Sequence, residues 1–152
     1  MTAPISKRTQ SGMMLLEALI AILIFAVGIL GIVGLQATSI KQGTDARYRS
    51  EAAMLANQYI GQMWLTSGAS AVLADKFSDG GANNAAYTTW AAAVGNTLPV
   101  PAAYPPAVSV NSVAGDPGEG TVTITIQWRP PSEPDTVDPH KYVVIAQIKP
   151  SL

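Results

Sequence analysis

The chain contains no cysteine among its 152 residues. That excludes a disulfide framework, a zinc–cysteine site, an iron–sulfur cluster and a thiol nucleophile. There is a single histidine, His140, so multi-histidine metal sites and most acid–base machinery lack their parts. Charge is also scarce. Charged residues make up 12% of the chain, against about 25% in an average soluble domain. The formal net charge of −1 gives the chain no long-range field with which to hold nucleic acid or anionic lipid. The sequence holds no glycine-rich phosphate loop, no nucleophile elbow and no paired His/Glu motif. These absences point away from an enzyme, and no catalytic residue, cofactor or metal site is expected.

The few charges that exist are unevenly spread. Lys7 and Arg8 form a basic pair, and the next 32 residues, Thr9 to Ile40, carry one charge, Glu17. Within them, Met13 to Leu35 is a 23-residue run of Met, Leu, Ala, Ile, Val, Phe and Gly broken only by Glu17. A helix of that length reaches about 34 Å, enough to cross a hydrocarbon core of about 30 Å. Basic residues just before it predict a cytoplasmic N-terminus, with everything after Leu35 outside. A cleaved secretory signal has a shorter apolar core of about 7–15 residues and a small-x-small site after it. This run exceeds that length and does not end cleanly in such a site. An uncleaved signal anchor fits the length but leaves Glu17 unexplained, because an intramembrane carboxylate is costly and marks a candidate functional group.

Gly12-Met13-Met14-Leu15-Leu16-Glu17, between a short basic leader and a long apolar helix, resembles the class III signal of the type IV pilin superfamily. The stretch from Glu17 to Gly31 is most similar to PilV-type minor pilins. The resemblance implies that a prepilin peptidase cuts the Gly12–Met13 bond on the cytoplasmic side and methylates the new N-terminus at Met13. It also implies that Glu17 neutralises the N-terminal amine of a neighbouring subunit during assembly. An unpaired cation and an unpaired carboxylate are each expensive away from water and tolerable together. Two departures stand out: Met13 occupies a position where phenylalanine is usual, and the apolar helix has no proline. Instead Gly28, Gly31 and Gly34 recur every three residues. Each loosens a helix by about 1 kcal/mol relative to alanine, or allows close packing against a neighbouring helix. Both readings stand.

Beyond Leu35 the helical period continues on one face. Tyr48, Ala52, Leu55, Tyr59 and Met63 recur at amphipathic spacing, and Gly68 is the expected stop. Lys41, Asp45, Arg47, Arg49 and Glu51 are expected to form a solvated face. Residues 68–106 read as a connecting loop with a short helix over Thr89–Val94, capped by Thr88 or Thr89 and anchored by Trp90 as a packing residue. Thr121 to Trp128 alternates as a half-buried strand, and Val108 and Val110 mark its partner. Asp116-Pro117-Gly118 supplies turn chemistry between them. Tyr142 to Ile148 reads as a third strand, more continuously apolar and so more buried. The proline-rich segment Arg129 to Pro139 is too constrained for regular structure, and His140 is expected at the surface.

The expected fold class is therefore α+β. A long N-terminal helix, membrane-spanning then amphipathic, packs against a small C-terminal antiparallel sheet, which is also the fold that the pilin resemblance implies. The expected organisation is a removed leader over 1–12, an assembly helix over 13–35 and its amphipathic continuation over 36–67. The connection spans 68–106 and the sheet region 107–152. The resemblance implies a minor pilin that initiates, primes or caps a type IV pilus. Its implied partners are the prepilin peptidase, other minor pilins and the major pilin, the inner-membrane assembly platform and a tip adhesin. Its implied location is the bacterial inner membrane before assembly and the surface pilus afterwards. A pseudopilin of a type II secretion system has the same leader. A DNA-binding pilin is disfavoured, since from Lys41 onward 7 basic residues face 9 acidic ones and the basic ones form no stripe. Neither Asp116 with Glu119 nor Glu133 with Asp135 and Asp138 has EF-hand calcium spacing. No charge occurs between Asp79 and Asp116, a neutral stretch open to subunit contact or to an ordinary loop.

Overall fold

In the computed structural model, which describes residues 11–66, 69–113 and 116–149, the first described element is a 54-residue helix: α1, Ser11–Trp64. Two shorter helices follow, α2 (Ser70–Phe77) and α3 (Ala85–Thr97), then strands β1 (Ala107–Val113), β2 (Asp116–Trp128) and β3 (His140–Ile148). The strands form one antiparallel sheet in the order β1-β2-β3. The fold is α+β, as the pattern predicted. The chain divides into two compact units, Met1–Gly43 and Thr44–Leu152. Within the first, every apolar side chain from Met13 to Ile40 is exposed.

The second unit holds the core. The amphipathic half of α1 buries Ala52, Leu55, Ala56, Tyr59 and Met63, with Tyr48 partly covered, the face that the spacing predicted with Ala56 added. Opposite stand Val122, Ile124, Ile126 and Trp128 of β2. The threonines and Gln127 that alternate with them are half-exposed, as period-two strand geometry requires. Val108 of β1 and Ile148 of β3 complete the buried face.

Three expectations give way. Residues 68–106 contain two helices, and α2 is absent from the sequence reading. Its apolar anchors Leu73 and Phe77 are buried one turn apart, and a single i, i+4 pair among Ala, Ser and charged residues gives almost no periodic signal. The second helix begins at Ala85, four residues before the expected start. Thr88 and Thr89 lie inside it, their hydroxyls donating to the carbonyls of Asn84 and Ala85, so neither is a cap. Finally β3 is an edge strand with alternating burial. Val143 and Ile145 are exposed by 45% and 67%, because a strand in a sheet covered on one face can bury only alternate residues.

The expected turn residues Asp116-Pro117-Gly118 open β2. Val113 pairs with Asp116 while Ser112 pairs with Gly120, so residues 117–119 are extra on the β2 side. Pro117 has no N–H to give a ladder, which fits an irregularity at this point. The expected stop at Gly68 and the basic pair Lys7 and Arg8 lie outside the described residues.

Candidate functional site

Gly12, Met13 and Glu17 all fall in the first turns of α1. Met13, Leu16, Glu17, Ile20, Ala21 and Ile24 line one stripe of the helix, as i, i+3 and i+4 spacing dictates. Glu17 thus sits one turn from Met13 in an apolar strip, with exposed side chains on every side. Met13 is 72% exposed and its neighbours Leu16 and Ile20 are 56% and 50%. Gly28, Gly31 and Gly34 lie further along α1, and a Cβ added at any of them meets nothing within 4 Å. The helix runs through all three without interruption. In the single chain, therefore, neither crowding nor unwinding accounts for these glycines. α1 is long and apolar enough to cross a membrane.

A second group of polar residues lies in the Thr44–Leu152 unit. His140, expected at the surface, is half-buried, with 30% of its side chain exposed. Its position at the start of β3 puts it in phase with Tyr142, Val144, Ala146 and Ile148, on the inward face and in register with Trp128. The two rings stack with centroids 5.9 Å apart and planes inclined by 16°. Nε2 lies 2.9 Å from Oε2 of Glu133, whose side chain is only 7% exposed. Nδ1 lies 3.2 Å from Oδ1 of Asp45 on α1. That contact is within ion-pair range but not aligned as a hydrogen bond, and Oδ1 is buried with no other partner. The even-numbered apolar phase of β3 was the signal that could have placed His140 inward.

The proline-rich segment that carries Glu133 is held as two turns, with the Glu133 amide donating to the Pro130 carbonyl and the Val137 amide to that of Pro134. Arg129 closes it, donating from Nε and Nη2 to the Val137 carbonyl and from Nη1 to Asp135 at 2.8 Å. Nearby on α1, Arg47 pairs with Glu51 at 2.8 Å, which holds the guanidinium above its ordinary range. The charges just past Ile40 are thus not all solvated: Asp45 joins the polar cluster, and Glu51, its side chain 21% exposed, keeps Oε2 buried.

Trp90 is a packing residue, as expected. It stacks on Tyr59 at 4.5 Å and donates from Nε1 to the Leu55 carbonyl at 3.0 Å. Tyr59 donates its hydroxyl to the Phe77 carbonyl, and burial pushes that phenol well above its ordinary range. Asp75 organises the turn between α2 and α3, accepting from the Ala82 and Asn83 amides and from Asn83 Nδ2. The Asn83 side chain, followed by the two amides, holds the Asp75 carboxyl below its usual range. Among the described residues, no three His, Asp or Glu side chains gather to hold a metal ion. The chain matches no family model, no curated protein and no solved structure.

Proposed function

We infer that this chain is a minor type IV pilin, a structural subunit that helps initiate, prime or cap a pilus after a peptidase removes its leader. One observation carries the reading. The Gly12-to-Glu17 sequence opens a helix whose apolar side chains stay exposed from Met13 to Leu35, at 46–73% for the large ones. So extended an apolar surface needs an apolar host. A bilayer supplies it before assembly and the helices of other subunits afterwards. In that host Glu17 is the one carboxylate, one turn from the amine that cleavage would create on Met13. Pairing with the amine of an adjacent copy offsets the desolvation of both groups. The folded unit beyond Gly43 would then lie outside the cytoplasm.

Intact-mass measurement of the protein from its native envelope tests this directly. Loss of residues 1–12 together with gain of one methyl group is the expected result; an uncut chain overturns it. A type II secretion pseudopilin would give the same mass. Recovery of the chain in sheared surface fibres, rather than only in the envelope, separates the two.

A further inference from the structure

His140 touches three elements, and the number of protons on its ring decides how many it can hold. Glu133 from the proline-rich segment faces Nε2 and Asp45 from α1 faces Nδ1. Ionised carboxylates only accept, so satisfying both contacts requires a proton on each ring nitrogen, and only imidazolium carries two. We propose that His140 is a pH-dependent clasp: doubly protonated, it ties the 129–139 segment and the start of β3 to α1, and losing one proton releases the Asp45 side.

The geometry chooses which contact survives. The Glu133 side chain is 7% exposed and lies at hydrogen-bond distance, whereas Asp45 is 42% exposed. A neutral ring keeps its single N–H on Glu133, the contact aligned as a hydrogen bond at 2.9 Å, rather than on Asp45, whose Oδ1 is 3.2 Å away and not aligned as one. Asp45 then faces a lone pair and turns to water. Trp128 stacks on the ring and is uncharged, and Arg129 is committed to Asp135 and Val137. Lys141 is on the opposite, exposed face of β3. On α1, Lys41 and Arg49 lie four residues to either side of Asp45. The two carboxylates address opposite ring nitrogens, so they cannot converge with the ring on one cation. His140 is the only histidine of the chain, so no second imidazole can stand in for it. The clasp is independent of whether the chain enters a fibre.

Amide hydrogen exchange on the full chain in detergent micelles tests the clasp, with rates at pH 5.5 and 8 normalised to intrinsic exchange. The Glu133 and Val137 amides are the probes. The wild type should be protected roughly two- to fivefold more at pH 5.5, the size of one partly exposed ion pair. Asp45→Asn and His140→Gln should each abolish that step. Equal protection at the two pH values overturns the clasp. So does a step that persists in either variant, which would belong to another group such as the N-terminal amine. Asp45 is partly exposed, so its variant serves even if His140→Gln fails to fold.

Discussion

Trp90 shows how much one side chain does in this small core. It stacks on Tyr59, and its indole N–H meets the Leu55 carbonyl, so α3 is fixed to α1 by packing and a polar contact together. Trp90→Ala should cost about 3–5 kcal/mol, as large aromatic deletions do. Trp90→Phe, which keeps a ring but loses the N–H, should cost about 1 kcal/mol beyond its volume loss. Urea denaturation of both variants measures the difference. Asp75 gives a pH prediction of definite sign. Its carboxyl is held below the ordinary value by Asn83 and two amides, so the folded state binds that proton less readily than the unfolded state. Stability from Asp75 is complete above the ordinary carboxylate range and falls as pH drops through it towards the folded value. Asp75→Asn should flatten that part of an acid denaturation curve. On the pilin reading Glu17 acts only in company. Glu17→Ala on that reading yields a processed, membrane-inserted protein that is missing from sheared fibres, and normal incorporation would sink the assigned role.

At the scale of elements, backbone approach and strand phase set the tolerances. The turn after α2 passes so close to it that a Cβ at Gly81 would stand 2.1 Å from the Asp75 carbonyl oxygen. That oxygen belongs to the backbone and cannot swing away, so Gly81→Ala should destabilise by about 1–3 kcal/mol, the range of core overpacking, in thermal melts. Strand β3 allows a paired comparison. Ile148 is 1% exposed and Ile145 67%. Ile148→Ala should cost about 2–5 kcal/mol and Ile145→Ala about 0.5 kcal/mol or less. Similar losses at both sites would contradict the one-sided burial of the sheet.

For the whole molecule, the division at Gly43 and Thr44 separates two kinds of surface. Among the described residues, every buried core residue, from Ala52 to Ile148, belongs to the second unit. A fragment of residues 44–152 should therefore fold alone, with a cooperative thermal transition by circular dichroism. Without cysteine, no covalent staple limits the entropy of its unfolded state. Its midpoint should fall below about 90 °C, the usual threshold for hyperstable domains. A non-cooperative melt would show that the preceding apolar helix contributes to the fold.

The sequence alone determined the features that rest on strong local patterns. A 23-residue apolar run, a period near 3.6 from Tyr48 to Met63 and strict alternation from Thr121 to Trp128 each carry their own geometry. Together they led to the α+β class, the long helix, the central strand and the buried face of α1. The meaning proposed for the Gly12-to-Glu17 stretch likewise lies in consecutive residues. Tertiary structure decided whatever depended on neighbours distant in sequence. α2 has one apolar pair, too little for a period, and is held by burial of Leu73 and Phe77. The exposure of β3 followed from its place at the edge of a sheet covered on one side, which an apolar run does not disclose. The meeting of Asp45, Glu133 and His140, spread over 96 positions, exists only because β3 and the proline-rich turns return to α1. The reason is physical: period and propensity act within a few residues, whereas burial and ion pairing depend on which distant surfaces the folded chain brings together.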